Sequence, residues 1–382
     1  MRKTFAAVFV LLLGWLRIVN AQEKKETVQV DYKDGVLINT ADGRFSMRLN
    51  TTAQFQFFYN VSEVAEGRHE RTPSFLLRRA RILWGGNAFY PWLNYNLQLT
   101  LEGTTISVRD YWLEATRNPK LRPRAGQFKV PYNREFLTSS SRLQFVDRSI
   151  ANVFAVGRDI GVMLYGSLGG EKWEYAIGAF NGAAKNRLNQ DGELIYVGRA
   201  VWMPFGRFTY SQAALEHPQQ SLLAIGGAVA LLPDYKPRLE GSDDRQLLAQ
   251  AVRATGSDTS TVFQFTVDAA FKQKGFSFEG EYHHRNLNPT AATIASVKAY
   301  GLRLQAGYFV TPKKLELALR YARVDDNTAQ DDNAAWEITP AVNYYLSDHR
   351  LKLQFDLSFI TRQQPGDDIQ DFLGRAQVQM FF

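Results

Sequence analysis

Between Phe45 and Tyr59 the chain alternates. Phe45, Met47, Leu49, Thr51, Ala53, Phe55, Phe57 and Tyr59 take every second position, with Ser46, Arg48, Asn50, Thr52, Gln54 and Gln56 between them. Successive side chains of a β-strand point to opposite faces, so a period of two describes a strand with one apolar and one polar face. The run is long, since a globular strand is typically about five or six residues. The pattern returns along the chain. Leu93, Tyr95, Leu97, Leu99 and Leu101 alternate with Asn94, Asn96, Gln98, Thr100 and Glu102, and Phe263, Phe265, Val267, Ala269 and Phe271 alternate with Gln264, Thr266 and Asp268. Residues 276–285, 299–310 and 350–360 do the same, and the charges Arg303, Lys352 and Asp356 keep to the polar face.

Sixteen segments of this kind are predicted: 44–59, 75–90, 92–102, 106–117, 120–131, 158–168, 171–181, 194–203, 221–232, 260–272, 275–286, 298–310, 314–324, 334–346, 350–361 and 371–382. Most reach the roughly nine to eleven residues that a tilted strand needs to cross a bilayer. After the first strand the connections alternate between tight turns rich in Pro, Gly or charge, such as "YPW", "KQKG" and "SDHR", and longer polar links such as 132–157 and 233–259. Two connections break the alternation: 103–105 is short where a long link is due, and 204–220 is long where a turn is due.

Lipid outside and a water-filled lumen inside satisfy both faces. In hydrocarbon every backbone donor and acceptor needs a partner, so the sheet must close on itself. The fold class read from the sequence is therefore all-β, a transmembrane antiparallel β-barrel of 16 strands, with short periplasmic turns and long extracellular loops. Aromatic residues near strand ends (Tyr59, Trp84, Tyr90, Trp92, Trp112, Trp173, Trp202, Tyr308 and Tyr344) suit the two interfacial girdles. The last segment stops on Phe382. It resembles the C-terminal aromatic signature by which barrel-assembly machinery recognises its clients.

Composition agrees. The 382 residues include 26 Phe, 17 Tyr and 7 Trp but no Cys, and the mean hydropathy is −0.28. An exported chain without disulfides must be stabilised by a large hydrogen-bond network or core. Arg2 and Lys3, the apolar run 4–16 and the small-residue site "VNA" at 19–21 form an export signal. The apolar run is too short for a spanning helix of about 20 residues. Its removal lowers the formal charge from +7 to +4, since it carries Arg2, Lys3 and Arg17 and no acid. That mild balance does not fit a nucleic-acid partner. The expected organisation is a signal peptide at 1–21, a periplasmic N-terminal segment at 22–43 and a transmembrane barrel at 44–382. The expected location is the outer membrane of a Gram-negative cell, in contact with lipid and lipopolysaccharide.

Several segments are more specific. "FLLRRARILWGG" (75–86), "RAGQFKVPYNREFLTSSSRLQFVDR" (124–148), "GRDIGVMLYGSLGGEKWEYAIGAFNGA" (157–183), "GRAVWMPFG" (198–206) and "KDGVLINTADGRFSMRLN" (33–50) resemble the phosphate-selective porin O and P family. The second half matches in pattern but not in motif. The resemblance implies a sixteen-stranded homotrimeric porin for small hydrophilic or anionic solutes. It also implies that the third external loop, here 131–157, folds into the lumen as a constriction. The candidate ion path is Arg134, Arg142 and Arg148 on that loop, Lys129 and Arg158 at its ends, and Arg48, Arg79 and Arg81 on the wall. Arginine suits an oxyanion path because its planar fork of donors stays charged and binds phosphate or carboxylate bidentately. Alternation turns nine cations inward, among them Arg48, Arg79, Arg81, Arg199, Arg285, Arg303, Arg320, Lys352 and Arg375, but also nine acids. The wall alone is not strongly basic, so an anion preference has to come from the loop.

No catalytic, metal or cofactor fingerprint appears. His283 and His284 are adjacent on a strand and point apart, and the acidic link 325–333 lacks the spacing of a Ca²⁺ loop. Two alternatives remain open at this stage. An outer-membrane barrel with an enzymatic or structural role would favour twelve strands or fewer, and an exported soluble β-sandwich binding protein would be extracted without detergent.

Overall fold

A computed structural model describes residues 28–32, 35–65, 68–102, 106–189, 192–236 and 246–382. The signal peptide and the connection 103–105 lie outside the described residues. Strands β1 (Val28–Tyr32) and β2 (Val36–Thr40) form a hairpin. Sixteen further strands follow: β3 (Ser46–Ala65), β4 (Arg68–Asn87), β5 (Leu93–Thr100), β6 (Ser107–Ala115), β7 (Arg122–Lys129), β8 (Arg158–Leu168), β9 (Trp173–Phe180), β10 (Ile195–Trp202), β11 (Leu222–Tyr235), β12 (Ser260–Gln273), β13 (Phe276–Pro289), β14 (Val297–Thr311), β15 (Leu315–Asp325), β16 (Ala334–Ser347), β17 (Leu351–Arg362) and β18 (Ile369–Phe381). Each of the sixteen segments expected from alternation is a strand. Neighbours in sequence pair antiparallel, and β18 closes onto β3 from Asp371 opposite Ser62 to Phe381 opposite Thr52. The result is a closed sixteen-stranded barrel.

Its polarity is inverted relative to a soluble protein. On β12 Gln264, Thr266 and Asp268 are buried, while Phe263 and Val267 are 38% and 51% exposed. A soluble sandwich would bury the opposite set. The N-terminal hairpin continues the wall where β18 ends. Phe382 exchanges backbone hydrogen bonds with Thr51, and β2 takes up the next positions, Val36 opposite Leu49 to Asn39 opposite Ser46.

Two irregularities decide what the wall presents to the lumen. Gln54 faces Arg79 and Phe55 faces Leu77, so Arg78 is an extra residue in β4. Likewise Gln98 faces Asp110 and Leu99 faces Val108, so Arg109 is extra in β6. A β-bulge bends the strand and re-aims the side chain next to it. Strict alternation would direct both arginines into lipid, where a charge costs about 2–4 kcal/mol at the midplane. Instead Arg78 joins Arg79 on the carboxylate of Asp147, and Arg109 lines an internal cavity beside Asp110. Trp112 also departs from expectation. It lies opposite Asn96 on the lumen face, and the Arg124 guanidinium stacks 4.1 Å from its ring, so it is not a girdle residue.

Three connections fold inward and fill the side of the barrel formed by β11–β18. The first is the expected constriction loop between β7 and β8. The second is the connection 203–221 between β10 and β11, which enters from the periplasmic end and buries Met203, Phe208, Ala213 and Leu215. This accounts for a long link where a turn was due. The third is the helix α1 (Gln246–Ala254) in the loop after β11, a helix the sequence reading did not anticipate. Its residues Leu248 and Val252 pack against Leu287, Val262 and Leu232 of the inner wall.

Candidate functional site

The constriction loop begins where Val130 N donates to Gly157 O at 3.0 Å, closing its base. It contains a short helix, Arg134–Leu137, and two 3₁₀ turns, Ser140–Arg142 and Ile150–Phe154. Such irregular backbone leaves many orphan donors and acceptors, and the polar wall satisfies them. Val146 N donates to Asp356, Lys352 Nζ to Leu143 O, Arg320 Nη1 to Asp147 O and Arg285 Nη2 to Val153 O, all within 2.8–2.9 Å. Gln144 is the hub. Its amide nitrogen donates to Glu316 at 2.7 Å and Ser277 at 2.9 Å, its amide oxygen accepts from Gln305 at 2.8 Å, and its carbonyl accepts from Asn343 at 2.8 Å.

Glycines on the lumen face of β14 make room for this seating. A Cβ at Gly307 would stand 2.1 Å from Gln144 Nε2, and one at Gly301 would stand 2.5 Å from the Phe154 ring. Gly307→Val is therefore expected to unseat Gln144 and loosen the loop while leaving the barrel closed. Single-channel conductance should rise, and unchanged conductance in a folded variant would contradict the seating.

The cationic side chains divide by what answers their charge. Arg134 is 1% exposed; its Nε lies 3.1 Å from Glu279 and its Nη1 3.8 Å from Asp268, and its guanidinium stacks on Phe208 and Tyr210. Arg199 pairs with Asp268 at 2.7 Å, Arg303 with Glu279 at 3.1 Å and Glu281 at 3.3 Å, Arg320 with Glu337 and Arg375 with Asp356. Arg79 bonds Asp147 at 3.0 Å and Gln54 at 2.7 Å. The pairs of Arg134 and of Asp147 tie the loop to the wall, the others join wall strands, and all of them cancel in charge.

Burial alone would raise the Asp147 carboxyl, but Arg79, with Arg78 beside it, outweighs burial and brings it down to about 2. A carboxylate depressed below its unfolded value of about 3.9 stabilises the folded arrangement above that value and loses its contribution as pH falls through its folded pKa. This tether should thus persist at pH 4 and release only near pH 2. Channel conductance measured against pH checks it, and a rise already complete by pH 5 would be inconsistent with it.

Arg81, Arg109, Lys129, Arg148 and Arg158 converge instead on one polar cavity of about 130 Å³, together with Ser139, Ser140, Ser141 and Asp110. Arg158 forks onto Asp110 at 3.0 and 3.3 Å, and Arg81 pairs with Glu102 at 3.0 Å while donating to Ser140 Oγ at 2.9 Å. Lys129 and Arg148 differ. Lys129 Nζ donates to the carbonyls of Phe136, Leu137 and Thr138 at 2.6, 3.0 and 3.1 Å. Arg148 donates to those of Glu135, Phe136 and Thr138 at 3.2, 3.4 and 2.9 Å. Among the described residues neither has a carboxylate in ion-pair contact. Carbonyls satisfy the donors without removing the charge, so the cavity keeps an excess of positive charge.

The structure thus gathers Lys129, Arg148, Arg158 and Arg81 and sets the other candidates apart. Arg134 and Arg79 are enclosed in ion pairs, and Arg48 and Arg142 are exposed and do not line this cavity. Arg109 was missed. Its sequence signal was a charge in the apolar register of an otherwise regular strand.

The chain matches the family described as phosphate-selective porin O and P over residues 49–368. An uncharacterized protein of Aquifex aeolicus (strain VF5) is 22% identical over 277 residues, which is 68% of this chain and 64% of that protein, so the chain spans a little under two thirds of this relative's length. Among solved structures, the anion-selective porin from Comamonas acidovorans aligns with TM-score 0.60 and 14% identity, covering 87% of this chain and 99% of that one. The outer membrane channel DcaP of Acinetobacter baumannii aligns with TM-score 0.60 and 12% identity, covering 88% and 97%. A trimer form of OmpT, an outer membrane protein of Vibrio cholerae, aligns with TM-score 0.53 and 11% identity over 88% and 99%. At these identities the likeness is one of fold.

Proposed function

The chain belongs to the phosphate-selective porin O and P family of outer-membrane barrels, and from that membership we propose that it is a passive diffusion pore, not a catalyst, which favours small oxyanions such as phosphate. The observation that supports the anion preference is the cavity in which Lys129 and Arg148 are answered by backbone carbonyls. A permeating oxyanion there meets guanidinium forks and the serines of the loop tip, which replace part of its hydration shell, and the field of an ammonium whose own donors are taken by carbonyls. The opposite half of the lumen is filled, so the route follows the wall of β3–β8, where inward residues such as Asn94, Asn96 and Gln98 remain half-buried. The test is a planar-bilayer recording of the purified protein in a KCl gradient, followed by addition of phosphate. A zero-current potential of anion sign with partial block by phosphate supports the reading. A cation sign with no effect of phosphate removes it.

Wall height supports a reading of the assembly. Strands β5, β6, β7, β9 and β10 have only eight or nine residues, whereas β11–β18 have eleven to fifteen. At about 3.3 Å per residue and a 45° tilt, eight residues rise about 19 Å, short of the roughly 25 Å apolar band. The low wall exposes Tyr111, Leu113, Val162 and Ile177, and a second protomer covers it better than lipid would. A homotrimer joined through this side is the proposed form, the OmpT neighbour having been described as a trimer. The taller wall faces lipid and lipopolysaccharide, and Phe382 is proposed as the feature read by barrel-assembly machinery.

A further inference from the structure

The connection 203–221 joins two strands that are already paired, β10 and β11. A tight hairpin of about two to five residues would do the same. Instead nineteen residues fold into the barrel from the periplasmic end and are fixed there. Met203 N donates to Lys172 O at 2.7 Å, Lys274 N donates to Pro218 O at 2.7 Å, and Ser211 Oγ lies 3.0 Å from His349 Nε2. Ala213 and Leu215 pack against Phe309 and Tyr345 of the inner wall. Gln212, in the same stretch, is 1% exposed.

Gln212 meets the constriction loop from beneath. Its backbone N–H donates to Arg142 O at 3.1 Å, and its side-chain Oε1 accepts from Gln144 N at 2.9 Å. The two bonds bracket Leu143, much as a neighbouring strand would. Immediately before them in sequence is the tip Ser139–Ser141, whose residues line the cationic cavity. Ties from the tip to the wall run from Gln379 Nε2 to Ser141 O at 3.0 Å, from Arg81 Nη1 to Ser140 Oγ at 2.9 Å and from Gln54 Nε2 to Ser140 O at 3.4 Å. The tip is therefore held by the barrel, and the residues that follow it directly, Arg142 and Gln144, by this inner turn.

We propose that the inner turn 203–221 is a second constriction element, and that Gln212 is the positioning residue through which it sets the aperture and ion preference of the cavity above it. Gln212 is uncharged, so its effect on selectivity acts through the position of the serine tip and not through the field of the pore. A buried donor left without its acceptor is destabilising, so losing the Gln212 bonds favours movement of the loop away from its seat. The inference rests on the porin reading.

The test uses the full-length protein in planar bilayers, with two variants. One is Gln212→Ala; the other replaces residues 204–220 by a short glycine–serine link. Wild type is recorded first, and a silent wild type removes the porin reading itself. With a conducting wild type, the shortened variant is expected to show roughly twofold or greater conductance as the periplasmic exit widens. Gln212→Ala is expected to move the zero-current potential toward zero at unchanged net charge. The chain has no cysteine, so Ser140→Cys gives a single thiol. Its modification by a charged thiol reagent from the periplasmic side should be about tenfold faster when the inner turn is shortened. Wild-type conductance, potential and labelling rate in a folded shortened variant would overturn the proposal. If that variant does not fold, an unmoved potential in Gln212→Ala overturns it alone.

Discussion

Replacing Lys129 and Arg148 together by glutamine is expected to lower the anion-to-cation permeability ratio at least about fivefold. A unit charge about 8 Å from a permeating ion contributes roughly 0.5 kcal/mol even in water, so neutralising two removes about 1 kcal/mol of attraction for the anion and as much repulsion of the cation. Walls of lower dielectric constant would enlarge the effect. Glutamine keeps an amide donor for the carbonyls of Phe136 and Thr138, so the loop remains tethered while the charge is lost. The zero-current potential in a KCl gradient reads the outcome. Arg320→Gln serves as contrast, because Arg320 is already matched by Glu337. If both changes move the potential equally, partner identity does not determine which cations serve the anion.

Arg134→Ala is expected to act on the fold and not on the charge of the path. The side chain is enclosed against Glu279, Asp268, Phe208 and Tyr210. Removing one member of a buried ion cluster leaves carboxylates uncompensated and costs about 3–5 kcal/mol. The loss should appear as a lower unfolding temperature in detergent and as a noisier channel, since the helix Arg134–Leu137 and the inner turn both rest on this residue. A variant as heat-stable as wild type would show that the cluster is hydrated enough to do without its cation.

The wall was legible in the sequence because two solvents act on alternate positions of every strand. All sixteen segments are strands, and β8 has the predicted bounds, Arg158–Leu168. What escaped was information that is not periodic. A bulge adds one residue, so Arg78 and Arg109 interrupt the alternation where the register changes, and periodicity alone carries no sign of it. The inner turn announced itself only by its length. The helix Gln246–Ala254 lies in a link whose composition looked like ordinary loop.

The roles of individual arginines were less legible still. Arg134 and Arg148 are fourteen positions apart on one loop with similar neighbours. One is answered by Glu279, 145 residues away, and the other by carbonyls ten to thirteen residues before it. Whether a cation is free to attract a solute depends on which distant strand arrives beside it, and no local spacing encodes that.

The seam between β18 and β3 carries a consequence for how such a molecule comes to exist. Gln54 and Gln379, whose side chains meet there at 2.6 Å, are 325 residues apart in the chain. Bringing ends so distant together is entropically costly and slow, so this pairing is expected to form last. Until it does, the unfinished sheet has two raw edges that would bind each other's copies as readily as their own. Closure of the ring is therefore a race against aggregation, and a change that slows this last pairing is expected to lower the yield of folded barrels.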